Sequence, residues 1–193
     1  MAEVQTEIRL SRVGKRPVPL PKGVTVNLNA SAIEVKGPKG QLQRQLPQGV
    51  VAKKDGEAIL VTAEAVGADH ARLQGLGRAL IAAMVKGAAE GYEKVLELHG
   101  TGYRCEIKGR AIHFNLGLSH PCTFELPKSI EAEIPKDSKG TVLMLRSADK
   151  EAIGQACATI IRFRPPEPYG GKGIRHRGEQ IRRKAGKTGK GRK

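Results

Sequence analysis

The sequence predicts an α+β protein built by internal duplication: two tandem copies of a small domain with antiparallel sheets and one main helix, plus a basic C-terminal tail. Three observations carry this. Alternating apolar runs lead into a helix-periodic run, and the whole order then recurs. The recurrence is in register: Leu46-Pro47 and Ala68-Asp69 return 80 residues later as Leu126-Pro127 and Ala148-Asp149, and Leu73 and Leu80 fall on Ile153 and Ile160. Finally, residues 162–193 hold twelve Lys or Arg against Glu167 and Glu179, ten of the fifteen net positive charges in the chain.

Residues 1–22 form a basic arm. Arg9, Arg12, Lys15, Arg16 and Lys22 alternate with Pro17, Pro19 and Pro21, which fix φ and remove donors, so an extended segment is expected. It is either a second polyanion contact or a solvated leader. The first repeat spans 23–90. Val24, Val26 and Leu28, then Ile33 and Val35, then Leu42 and Leu46, keep the two-residue period of half-buried strands, with Gly37-Pro38-Lys39-Gly40 as a turn. Val50–Ala52 and Ile59–Val61 flank the hairpin signal Asp55-Gly56. Asp69 then caps a helix with Leu73, Leu76, Leu80 and Met84 as its apolar stripe and Gly87 as its stop. Gly75 and Gly77 each cost about 1 kcal/mol against alanine there, so they point to close packing.

The second repeat spans 91–165. Val95–Leu98, Tyr103–Ile107, Ile112–Leu116, Thr123–Leu126, Ile130–Ile134 and Val142–Leu145 read as strands. Asp149 opens a helix with Ile153, Ala156, Cys157, Ile160 and Ile161 on its apolar face, and Pro165 ends it. Residues 166–193 are a tail with too few apolar residues to offset its own ordering entropy, so it orders on a polyanion. Removing residues 171–193 is therefore expected to leave both domains folded and to weaken binding.

Several functions are set aside. The longest apolar run, Ala79–Val85, is far too short to span a membrane, and no apolar core near Met1 forms a secretory signal. Asn29-Ala30-Ser31 matches a glycosylation acceptor but has no meaning without export. Cys105, Cys122 and Cys157 are odd in number and lack metal or disulfide spacing, so they read as small buried hydrophobes. Gly186-Lys187-Thr188 lacks the earlier glycine, strand and helix of a phosphate-binding loop. Ser119 and His120 are adjacent and face apart on a strand, so they are no nucleophile and base. The histidines form no ligand spacing, and the strand carboxylates, Glu97, Glu106, Glu125, Glu131 and Glu133, read as solvated residues. No enzyme, cofactor or metal is expected.

Binding to nucleic acid remains. Glycine and basic residues interleave at Gly100–Arg104, Gly117–Pro121 and Tyr169–Gly173, where bare backbone N–H groups approach phosphates closely. Tyr103 and Tyr169 are suited to stacking on exposed bases or riboses. Arg162, Arg164, Lys172, Arg175, Arg177, Arg182, Arg183, Lys184, Lys187, Lys190 and Arg192 supply charge that neutralises phosphates.

These residues carry a resemblance. Ser11–Pro17, Val35–Gly40, Gly91–Lys94, Gly102–Arg104, Ser119-His120-Pro121, Arg164–Tyr169, Gly171–Ile174 and Arg182–Lys190 follow one another in the order of the bacterial-type large-ribosomal-subunit protein six family, which the chain closely resembles from about Leu10 to Lys190. The resemblance implies two copies of one α+β fold, each with two small sheets and a helix. It implies binding to large-subunit, 23S-type ribosomal RNA near the stalk base and elongation-factor site, beside neighbouring large-subunit proteins and close to elongation factors. No homo-oligomer is expected. RNA contacts carry over to Tyr103, Arg104, Ser119, His120, Arg164, Tyr169, Lys172 and the basic tail. The leader Met1–Arg9 is longer than the family's usual start, and Gly170 stands where a basic residue is expected. The expected compartment is the cytoplasm, on ribosomes, with a plastid stroma left open by the arginine-rich close. The competing reading is a free-standing regulatory RNA- or DNA-binding protein with tandem domains.

Overall fold

The computed structural model of the protein describes residues 11–29, 32–64 and 68–187. The chain divides into two compact units, one of Met1–Gly91 with Ala148–Lys150, the other of Tyr92–Ser147 with Glu151–Lys193.

In the first unit, β1 (Val18–Pro19), β5 (Val50–Asp55) and β6 (Ala58–Ala63) form one antiparallel sheet in the order β1-β6-β5. β2 (Thr25–Leu28), β3 (Ala32–Gly37) and β4 (Gly40–Gln45) form a second, a simple meander. The alternation read from the sequence places Val26, Ile33, Val35, Ile59 and Val61 inside, and α1 (Ala68–Ala89) packs over them with Ile81, Met84, Val85 and Ala88. The Gly37–Gly40 turn is tied to the end of α1, where Lys39 N donates to Ala88 O at 3.0 Å.

Three expectations for α1 fail. Asp69 lies inside its first turn and does not cap it. The helix continues through Gly87, which is buried within it, to Ala89. Leu76 is 46% exposed and Leu73 and Leu80 are only half-buried. The buried stripe runs one position over, through Gln74, Gly77, Ile81, Met84 and Ala88. Gly77 is the reason: a Cβ there would stand 2.5 Å from Val50 Cγ1 and 3.3 Å from Val61 Cγ1, so the helix backbone itself lies on the sheet. Gln74 is buried because both amide ends are used. Its Oε1 accepts from Ser11 N at 3.0 Å, and its Nε2 donates to Val61 O at 3.1 Å. The N-terminal arm thus meets α1 at Ser11, and Val18 on β1 is 2% exposed.

The second unit repeats the plan. β8 (Arg104–Lys108), β9 (Ala111–Asn115) and β10 (Cys122–Glu125) form the meander. β7 (Tyr92–His99), β11 (Glu131–Glu133) and β12 (Val142–Ser147) correspond to β1, β5 and β6, with β12 central between β7 and β11. α2 (Lys150–Phe163) buries Ile153, Ala156, Cys157 and Ile160, the face read from its spacing. These pack with Leu96, Leu98, Ile112, Phe114, Leu143 and Leu145. All three cysteines are buried and unpaired.

The units differ at one edge. β13 (Gly173–His176) pairs antiparallel with the free side of β7, giving the order β11-β12-β7-β13. Residues expected to be tail are therefore part of the second sheet. Ile174 is 0% exposed, its N donates to Arg164 O at 2.8 Å, and Arg177 N donates to Val95 O at 3.0 Å. A single buried isoleucine plus an unpaired strand edge suffices to order a segment whose composition alone argues against it. Loss of residues 171–193 would therefore remove a strand of this sheet and not only a tail.

Candidate nucleic-acid interface

Among the described residues, those expected to contact a polyanion fall in two clusters that adjoin β7. The first lies on the loops of the three-stranded meander. Arg104 is exposed at the start of β8, and Ser119 and His120 are exposed between β9 and β10. Tyr103 is not exposed with them. It is 8% exposed, and Cβ positions built on Gly100 and Gly117 lie 2.7 Å and 3.5 Å from its ring. The ring is inserted between the two loops, leaving no room for a side chain at Gly100, whereas Gly117 is favoured by its φ of +65°. Its expected stacking role is corrected: Tyr103 pins the loop of Arg104 to the loop of Ser119 and His120. Beside it, Cys105 Sγ lies 3.2 Å from Gly140 O, and burial pushes its thiol up to about 11.

The second cluster follows α2. Arg162 is exposed in its last turn, where cations offset the negative end of the helix dipole, and Arg164 follows half-buried. The chain then turns: Gly171 N donates to Glu167 O at 3.0 Å and Glu167 N to Lys172 O at 2.8 Å. Tyr169, 56% exposed, and Lys172 project from this turn. Gly173, at φ 138°, leaves no room for a side chain, since a Cβ would stand 2.6 Å from Pro165 O. After β13 the chain folds back. Lys184 N donates to Pro168 O at 2.9 Å, and the Arg183 guanidinium lies against Gly171. Arg177, Arg182, Arg183, Lys184 and Lys187 are exposed, whereas Lys190 and Arg192 lie outside the described residues. The clusters meet at β7, whose His99 is paired with Gly173 and whose next residue, Gly100, contacts Tyr103.

The open face of the four-stranded sheet carries an ionic array that sequence reasoning missed. Glu97 and His99 on β7 share a face with Arg175 on β13, Glu97 directly opposite Arg175. Glu97 Oε2 lies 3.1 Å from His99 Nε2, Glu97 Oε1 lies 3.5 Å from Arg177 Nε, and Arg175 Nη2 lies 3.5 Å from His99 Nδ1. Read as a solvated carboxylate, Glu97 in fact has a side chain only 23% exposed. Further along that face, Arg146 on β12 binds Glu93 and Glu133 at 2.9 Å each, and those carboxylates, Glu93 foremost, raise its pKa. Among the described residues, no group of three or more His, Cys, Asp or Glu could hold a metal ion. No helix among them is long and apolar enough to cross a membrane.

The arrangement offers two glycine-rich loop clusters with clustered cations, one exposed tyrosine and a guanidinium-bearing sheet edge, which is equipment for binding a phosphodiester chain. Comparison with known proteins gives the same direction. The family model described as ribosomal protein L6 matches twice, at residues 20–91 and 99–177, the second match running through β13. The large ribosomal subunit protein uL6 of Synechocystis sp. is 46% identical over 181 residues, covering 94% of this chain and 99% of its own length. That of Syntrophotalea carbinolica is 48% identical over 181 residues, with coverage of 94% and 99%. That of Listeria monocytogenes is 45% identical over 181 residues, with coverage of 94% and 100%.

Proposed function

The chain belongs to the ribosomal protein L6 family, and from that premise we propose that it is a structural constituent of the large ribosomal subunit that binds 23S-type ribosomal RNA near the stalk base and elongation-factor site. It acts by holding RNA in shape and performs no catalysis. The observation that supports the reading is that Arg104, Arg164, Lys172, Arg175 and Arg177 lie on β13 or on loops adjoining the C-terminal half of β7, in a chain whose net charge is +15. Cations so placed release counterions from the RNA backbone and fix its position. Tyr169 presents a ring to an unstacked base or ribose, and Ser119 and His120 offer hydrogen bonds from a loop that Tyr103 holds in place. Arg182, Arg183, Lys184 and Lys187, on the segment that folds back toward the Tyr169 turn, extend the phosphate-contacting surface. Neighbouring large-subunit proteins and passing elongation factors are the remaining partners, and the ribosome is the expected location.

The test is sedimentation of a tagged copy through a sucrose gradient at high and at low magnesium. The protein is expected to travel with the large subunit after the subunits part and to remain there through a moderate salt wash. Recovery at the top of the gradient would overturn the reading in favour of a free-standing RNA- or DNA-binding protein.

A further inference from the structure

We infer that Glu97 and His99 are positioning residues for RNA binding: they hold the Arg175 and Arg177 guanidiniums in place before RNA arrives. The inference rests on the function proposed above and assigns a role to two residues outside the cationic set. Hydrogen-bond chemistry makes the array directional. A guanidinium has only donors, so Arg175 Nη2 donates to His99 Nδ1; His99 therefore carries its proton on Nε2 and donates it to Glu97 Oε2. The other oxygen, Oε1, faces Arg177 Nε. One carboxylate thus serves both arginines, one directly and one through the imidazole, and one tautomer satisfies every link.

An ion pair this close to solvent contributes little to folding. Its effect is on freedom of motion. Arginine carries many rotamers, and binding must otherwise immobilise each one at the moment RNA is bound. Arg175 lies on β13 and Arg177 in the turn just beyond it, two residues or about 7 Å along the chain, and both side chains reach the Glu97–His99 face, so fixing both presents a paired donor edge. Against this stands the charge of Glu97 itself, which repels phosphate. The two effects have opposite signs, and that makes the role measurable.

The experiment measures affinity for a large-subunit ribosomal RNA transcript with wild type, Glu97→Gln, His99→Ala, an Arg175→Ala/Arg177→Ala double variant, and Glu97→Gln in that double background. If Glu97 positions the arginines, Glu97→Gln weakens binding about three- to tenfold although it removes a negative charge. His99→Ala weakens it similarly, and Glu97→Gln has no further effect where both arginines are gone. Thermal unfolding of each variant separates this from a folding defect. Binding by Glu97→Gln that is unchanged or tighter than wild type overturns the inference and leaves the RNA-binding reading intact. Failure of the wild type to bind the transcript overturns both.

Discussion

Tyr103 supports two loops of the proposed interface from within the core. Its ring fills the gap between the Gly100 and Gly117 loops, so Tyr103→Ala leaves a void there and costs about 3–5 kcal/mol in urea unfolding. Tyr103→Phe keeps the ring and should retain both stability and RNA affinity; loss of affinity in the phenylalanine variant at full stability would mean that the hydroxyl itself meets RNA. Its neighbour Cys105 links the same core to pH. Burial raises its thiol from an ordinary value of 9.0 to about 11 in the folded chain. The unfolded chain therefore releases this proton first as pH rises. The stability the neutral thiol confers is fully present below pH 9 and is lost as pH climbs toward 11, by roughly 2–3 kcal/mol. Unfolding free energies of wild type and Cys105→Ala, measured from pH 8 to 11, should converge by that amount, since other titrations cancel in the difference. A constant gap would show that the folded thiol ionises normally.

At the scale of elements, two helical glycines respond to the same substitution with opposite signs. Alanine at Gly154 on α2 meets nothing within 4 Å and gains about 1 kcal/mol of helix propensity. Alanine at Gly77 on α1 gains the same amount but drives its methyl to 2.5 Å from Val50 Cγ1, and Val is stiff at χ1. Overpacking of this kind costs about 1–3 kcal/mol, so the net change is destabilising. Thermal melts of the two variants should move in opposite directions; a stabilised Gly77→Ala would mean that α1 lifts off its sheet at little cost. The same pair marks what was legible in the sequence. Strand alternation and the α2 face were readable because Ile33, Val35, Ile153 and Ile160 are both apolar and buried. On α1 the close packing at Gly77 and the burial of Met84 were legible, but the stripe through Leu73, Leu76 and Leu80 was misplaced because its first half is set by Gln74 and Gly77, neither of which registers as apolar. β13 was missed because a strand added to an edge needs only one buried side chain, Ile174, amid glycine and charge. The array of Glu97 and His99 was invisible for the same reason, since its partners Arg175 and Arg177 arrive only with that strand.

For the whole molecule, the place where fold ends and tail begins decides how binding is divided. The basic close of the chain looks like one unit by charge, yet it contains a core strand up to His176 and a cationic extension beyond. The two should separate on truncation. A chain ending at Gly170 loses β13, which forfeits about 1.5–3 kcal/mol for Ile174 alone, the ladder to β7, and the cover over that strand's edge. Its second unit should melt at markedly lower urea concentration, and RNA binding should fail with it. A chain ending at Gly178 keeps β13, the Arg175 and Arg177 array, and the turn bearing Tyr169 and Lys172. Its unfolding should match wild type. It lacks Arg182, Arg183, Lys184, Lys187, Lys190, Arg192 and Lys193, so its affinity should fall most at low salt, with the slope of log affinity against log salt flattening by about 0.7–0.9 for each phosphate that is no longer neutralised. Filter binding of both truncations across a salt series, beside urea melts, reads all of this. A wild-type slope in the longer truncation would mean that the extension touches no phosphate, and a wild-type melt in the shorter one would mean that β13 is carried by the sheet without supporting it.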